Sequence, residues 1–242
     1  VVDLNTYVKR AKELGYQSIG LMDRDNLYAA YHFAQLAIRN GLRPLIGIEA
    51  NLFYDGRKIP FRLLAKNNQG YKNLLATELS SGQREFTPFS DYLNDIALII
   101  PSEDWEPGMS LGSEVFIGVR PEDAGKEFDY PVVPLHTVRY FENADRSTIQ
   151  TLHAISQNVS LSEVSICPMN QLLFSAKEME EAYSKLPEAL NNLNQLVSDV
   201  SYQFDTNLKL PRFNPERPAV EELRERSVKG LEQKGLLDFV YQ

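Results

Sequence analysis

Three apolar runs in this chain end in residues able to do chemistry. Ser18-Ile19-Gly20-Leu21-Met22 runs into Asp23-Arg24-Asp25-Asn26, Pro44-Leu45-Ile46-Gly47-Ile48 ends at Glu49, and Val132-Val133-Pro134-Leu135 is followed by Thr137 and Arg139. Each run reads as a buried strand, and in open α/β sheets and α/β barrels the reacting groups stand in the loops at the C-terminal strand ends. Asp23, Arg24, Asp25, Glu49, Thr137 and Arg139 therefore form a convergent set. The same positions also have a purely structural use, because strand-to-loop junctions favour Asp and Asn for turns and charges cluster for stability as well as for catalysis. From these residues alone both readings stand.

Imidazole is the commonest ligand for zinc or manganese and the usual general base. His32 and His153 fall in helical segments, and His136 should point to the opposite strand face from Thr137. No two histidines have the i, i+4 or His-x-His spacing that lets a pair share one metal, so a histidine-rich cluster is not expected. The chain has no phosphate-cradling glycine loop ending in Lys-Ser/Thr, no Gly-x-Ser-x-Gly elbow and no dinucleotide fingerprint. Tyr28, Tyr31, Phe33, Tyr71, Tyr140 and Phe141 fall at helix or strand positions, where core packing explains them better than base stacking.

The elements that must position these residues follow from periodicity. Leu4, Tyr7, Val8, Ala11 and Leu14 have helical spacing, and Gly15 stops the helix. A second helix over 28–40 is closed by Gly41, so helix, strand, loop, helix and strand succeed one another within about fifty residues, as in right-handed βαβ units. Further strands are expected at 61–65, 96–100, 115–119 and 132–135, with a short helix at 71–79. The second half is mostly helical, at 147–156, 176–183 and 187–200. Three prolines in 207–218 mark an extended connection, and 219–234 reads as a charged amphipathic helix too short to fold alone.

With 242 residues, 43% of them hydrophobic, the chain can bury a sizeable core. It carries a net charge of -8 and an isoelectric point near 5.0, which disfavours a general grip on phosphate backbones. The single cysteine, Cys167, excludes internal disulfides and thiolate metal clusters and fits a reducing compartment, the cytoplasm by default. No run of about 18 apolar residues suggests a membrane span. The chain opens on Val1 rather than Met, which suggests a piece of something longer or a trimmed polypeptide.

The residues also carry a resemblance. Val8-Lys9-Arg10-Ala11-Lys12-Glu13-Leu14-Gly15-Tyr16, followed by Ile19-Gly20-Leu21-Met22-Asp23, resembles the opening of the PHP (polymerase and histidinol phosphatase) domains of bacterial DNA polymerase III alpha subunits. Gly41-Leu42-Arg43-Pro44-Leu45-Ile46-Gly47-Ile48-Glu49 is similar to that family's Gly-x-x-Pro-Ile-x-Gly-x-Glu segment. Leu63-Leu64-Ala65-Lys66-Asn67 and Gly70-Tyr71-Lys72-Asn73-Leu74 resemble its next block, and Leu210-Pro211-Arg212-Phe213 resembles the passage into the polymerase palm.

The resemblance implies a distorted TIM-like (βα)7 barrel of the PHP type over residues 1–206, then a linker and first helix leading toward the polymerase palm over 207–242. Family members with an intact site hold a multinuclear metal cluster at the barrel mouth for phosphoesterase or exonuclease chemistry. Here the matching positions read as vestigial. Met22-Asp23-Arg24 stands for Thr-Asp-His, Pro60 for a histidine, and Thr137-Val138-Arg139-Tyr140 for Asp-x-His-Tyr, while the first His-x-His motif would lie upstream of Val1. Only Asp23 and Glu49 match as ligands. Arginine has no lone pair to give a metal, so neither bound metal nor catalytic residues are expected, and Arg24 and Arg139 are expected to pair with Asp23 and Glu49. By the same resemblance the fragment serves DNA replication structurally, against the polymerase core of its own chain and other replisome proteins, with little nucleic-acid contact of its own. Magnesium belongs to the polymerase site outside it. The alternative is an active metal-dependent phosphoesterase or 3'-5' exonuclease.

Overall fold

The computed structural model describes residues 3–76, 94–112, 114–165, 171–203 and 216–236. The chain falls into two compact units, Val1–Gln203 and Phe204–Gln242.

The first unit opens with helix α1 (Leu4–Glu13), whose N-terminus is capped by the Asp3 carboxylate accepting from the Thr6 N–H at 2.9 Å. Strand β1 (Ser18–Arg24), helix α2 (Ala30–Arg39) and strand β2 (Arg43–Tyr54) then form the expected βαβ unit, with β1 and β2 parallel. Val8 and Ala11 of α1 pack with Phe33 and Ala37 of α2 over Ile19 and Leu42. This small apolar cluster fixes both helices on one side of the sheet.

Two strands are longer than their apolar runs. β2 continues past Glu49 to Tyr54, turns over Asp55-Gly56, and returns as β3 (Arg57–Ala65). Both turn residues have positive φ, 49° at Asp55 and 74° at Gly56, the geometry of a two-residue hairpin turn that matches strand twist. β3 also runs antiparallel to β4 (Ile96–Pro101), after which β5 (Val115–Val119) and β6 (Val132–Pro134) follow in parallel. The described strands thus make a mixed, curled half-barrel in the order β1-β2-β3-β4-β5-β6. It departs from a repeating (βα)7 barrel because the Asp-Gly turn places a hairpin where such a unit needs a crossover helix.

Helix α3 (Asn68–Ala76) starts three residues before the expected helix, because the Asn67 side chain accepts from the backbone N–H groups of Gln69 and Gly70; positions 77–79 of the expectation lie outside the described residues. Helices α4 (Asp145–Gln157), α5 (Ala176–Ala182) and α6 (Pro187–Ser198) match their periodic segments to within a few residues. Tyr183, fully buried after α5, donates its hydroxyl to the Val119 carbonyl at 2.9 Å and so ties this helical layer to the end of β5. The main core lies between β2–β5 and this layer: Ile48, Phe61, Leu63, Leu98, Ile100 and Ile117 pack with Tyr183, Leu186 and Ala189.

The second unit contains helix α7 (Ala219–Gln233), laced by Arg226–Glu222 and Arg217–Glu225 pairs at 2.8 and 2.7 Å. Cys167 and most of the expected linker lie outside the described residues. No described helix is long and apolar enough to cross a membrane.

Candidate functional site

Strand register builds the centre of the site. Arg24 stands opposite Glu49 across the parallel β1–β2 pair, and Arg62 stands opposite Glu49 across the antiparallel β2–β3 pair. Arg24 donates from Nε and Nη2 to Glu49 Oε1 at 3.0 and 2.7 Å, while Arg62 Nη2 lies 2.9 Å from Oε2. Glu49 and Arg62 are largely buried, with side chains 16% and 15% exposed, whereas the Arg24 side chain is 65% exposed. One carboxylate is therefore clamped by two guanidiniums, each taking a different oxygen. Gly47, two residues earlier on the same face, allows the strands to close here: a Cβ would sit 2.4 Å from the Leu63 carbonyl oxygen.

Asp23 is placed differently. It stands in register with Ile48, and because side chains alternate faces along a strand, it projects to the opposite side of the sheet from Glu49. The two residues expected to remain as ligands therefore do not converge. Burial holds the Asp23 carboxyl above its ordinary pKa, and no hydrogen bond or ion pair compensates it among the described residues. Pro60 lies within β3 opposite Asn51, beyond the stretch paired to β4, where a missing N–H is tolerated. Arg139 is exposed; its backbone N–H donates to the Gln171 carbonyl, and it makes no ion pair among the described residues. The expected pairing thus holds for Arg24 with Glu49 and not for Arg139.

Thr137 lines a cavity of about 540 Å³ at the ends of β4, β5 and β6, with Arg62, Arg120, His136, Phe174 and Tyr183 among the other walls. The expectation that His136 faces away from Thr137 fails because β6 ends at Pro134, so strand alternation does not extend to them. His136 Nε2–H donates to the Leu172 carbonyl at 2.8 Å, leaving Nδ1 as the acceptor. Burial lowers its pKa, only partly offset by that bond. His32 is exposed on α2 and His153 is half-buried on α4.

Sequence reasoning missed two charged residues. Arg62 was legible in principle, since a two-residue Asp55-Gly56 turn pairs Tyr54 with Arg57 and, counting outward, Glu49 with Arg62. Asp123 is the other, at 3% exposure. It accepts from Ser102 Oγ at 2.7 Å, the Arg120 N–H at 2.8 Å and Lys126 Nζ at 2.7 Å. Burial acts to raise its pKa, and these donors outweigh burial and lower it. Its signal is local, an acid three residues from both Arg120 and Lys126.

This donor set does not fit a divalent metal cluster. Both oxygens of Glu49 face guanidiniums, Asp23 lies on the other face, and Arg24, Pro60, Thr137 and Arg139 supply no imidazole or carboxylate. Among the described residues no group of three or more His, Cys, Asp or Glu side chains is placed to hold a metal ion.

The PHP domain family matches residues 1–98. The chain carries a PHP domain. It is also 41% identical, over its whole length, to the DNA polymerase III subunit alpha of Streptococcus pyogenes serotype M1, of which it covers 24%. Identity to the DNA polymerase III subunit alpha of Halalkalibacterium halodurans is 24%, over 94% of the chain and 24% of that relative. The PHP chain thus spans about a quarter of the length of these curated relatives. A crystal structure from Bifidobacterium adolescentis, described as that of a metal-dependent phosphoesterase, covers 76% of the chain and 91% of its own at 11% identity and TM-score 0.32, a likeness too weak to bear on function or barrel closure.

Proposed function

We propose that this chain is the PHP region of a replicative DNA polymerase III alpha subunit in which a guanidinium–carboxylate clamp stands where family members hold metal, and that it serves as a structural module. The clamp of Glu49 between Arg24 and Arg62 carries this reading. Two fixed positive charges replace the cations electrostatically, so a largely buried carboxylate remains satisfied without metal. The half-barrel braces the polymerase core of the same polypeptide in the cytoplasm. The magnesium ions for nucleotidyl transfer belong to carboxylates outside this chain. The acidic net charge supports a role in which the domain makes little direct contact with nucleic acid.

The test is elemental analysis of the purified protein after incubation with zinc, manganese and iron followed by dialysis, paired with hydrolysis assays on a phosphate monoester and on single-stranded DNA. The expected result is essentially no retained metal and no EDTA-sensitive hydrolysis. Retention of about one metal equivalent or more together with EDTA-sensitive hydrolysis overturns the proposal in favour of a working phosphoesterase or exonuclease.

A further inference from the structure

The cavity of about 540 Å³ at the ends of β4, β5 and β6 has a volume suited to a small molecule. Leu135, Phe174, Met179 and Tyr183 give it an apolar floor. The Tyr183 hydroxyl is already taken by the Val119 carbonyl, so it offers little to a ligand.

The charged groups on the wall do not balance. Arg62 is committed to Glu49, which lies outside the lining, and Arg120 Nη2 donates to Glu103 Oε1. Glu122 and Glu178 also line the cavity, and neither makes an ion pair among the described residues. Lys126, on the same loop as Glu122, is held by Asp123, and Lys177, beside Glu178, reaches Glu181.

Both unmatched carboxylates are held in place. Glu122 stands on the 3-10 turn Pro121–Asp123, which Asp123 pins to Ser102, the Arg120 N–H and Lys126. Glu178 accepts the Ser175 hydroxyl and N–H at 2.7 Å, both on Oε2, in the capping box of α5, and these bonds hold its carboxyl below the ordinary range. Its Oε1 has no donor among the described residues. His136 adds an acceptor: its Nε2–H is on the Leu172 carbonyl and burial keeps the ring neutral, so Nδ1 retains its lone pair.

An apolar floor under a rim of fixed acceptors complements an apolar body with a positively charged donor head, and aromatic walls attract such a head further. A phosphate ester would instead meet two unmatched carboxylates of its own sign.

We propose that this cavity binds a small organic cation, an ammonium or guanidinium on an apolar body, with Glu122 and Glu178 facing the charge and Leu135, Phe174 and Met179 packing the body. The site is additional to the structural role above and does not depend on it.

The test is calorimetry and saturation-transfer NMR on the full-length subunit with phenethylamine as the probe, against phenylphosphonate, an anion with the same ring that cannot be hydrolysed. Phenethylamine should bind at about millimolar affinity and phenylphosphonate about tenfold more weakly or not at all. The double variant Glu122→Gln with Glu178→Gln removes both charges while Gln keeps the capping box, and Ala182→Trp fills the cavity from an exposed position on α5. Each should weaken phenethylamine about tenfold with the thermal midpoint unchanged. No binding, phenethylamine binding that either variant leaves unaltered, or phenylphosphonate binding as tight or tighter overturns the proposal. The outcome is separable from that of the metal test, since a metal-free, inactive domain that ignores phenethylamine rejects this site alone.

Discussion

The two halves of the sheet satisfy buried carboxylates in opposite ways. At β1–β3, Glu49 depends on guanidiniums 25 and 13 positions away in sequence, brought together only by strand register. At β4–β6, Asp123 is served by the Arg120 N–H and Lys126, each three residues away, with Ser102 from the neighbouring strand end as the one distant donor. The difference teaches that the β1–β3 clamp is a tertiary device, sensitive to the spacing of strands, while the Asp123 site is mostly a turn motif that travels with its own segment.

Substitutions should sharpen this contrast, and the largest effect is expected at Arg62. Arg62→Ala leaves the largely buried Glu49 with one exposed partner and should cost about 3 kcal/mol in denaturant unfolding, whereas the double replacement Arg62→Met with Glu49→Leu should recover most of that loss. If the double variant is no better than the single one, the clamp is not the reason Arg62 matters. Asp123→Ala should cost about 2 kcal/mol by stranding the Ser102 hydroxyl and the Arg120 N–H, and Asp123→Asn less. A larger loss here than at Arg62 would reverse the comparison. Arg24→Ala should cost less than about 1 kcal/mol, because its side chain is mostly in solvent.

The smallest effect is one of sign. The folded pKa of Asp23 is raised, so its contribution to stability is full below the ordinary carboxylate range and is lost as pH rises through the folded value. Asp123 has a lowered folded pKa; its contribution is present above the ordinary range and lost as pH falls through the folded value. Asp23→Asn should therefore be neutral at or below about pH 4 and slightly stabilising near neutrality. Asp123→Asn should be most damaging near neutrality and progressively less so in acid. Thermal melting of both variants between acid and neutral pH checks the pair, and parallel curves would show that the two carboxylates do not differ in environment.

Much of the fold was legible because it is local. Gly15 and Gly41, with φ of 89° and 76°, stop helices where periodicity ends, and Val115–Val119 is a strand because it is a bounded apolar run. Arg24 and Glu49 were legible as residues at neighbouring strand ends since both follow from the first βαβ unit, and register then made them partners. Strand length was not, because β2 beyond Glu49 and β3 before Phe61 carry mixed residues whose strand state depends on pairing with each other. His136 was misplaced for a related reason: the period-two rule holds only inside a strand, and β6 is three residues long.

The sequence by itself determined which chemistry is possible here. Side chains without lone pairs or carboxylates at Arg24, Pro60 and Arg139 limit metal binding in any fold, because ligand chemistry is a property of the residue. Only the tertiary structure decided which charges meet. Glu49 gains Arg62, Asp23 is turned to the far face, and Arg139 is left in solvent, because register and strand ends, not residue type, set where a side chain points.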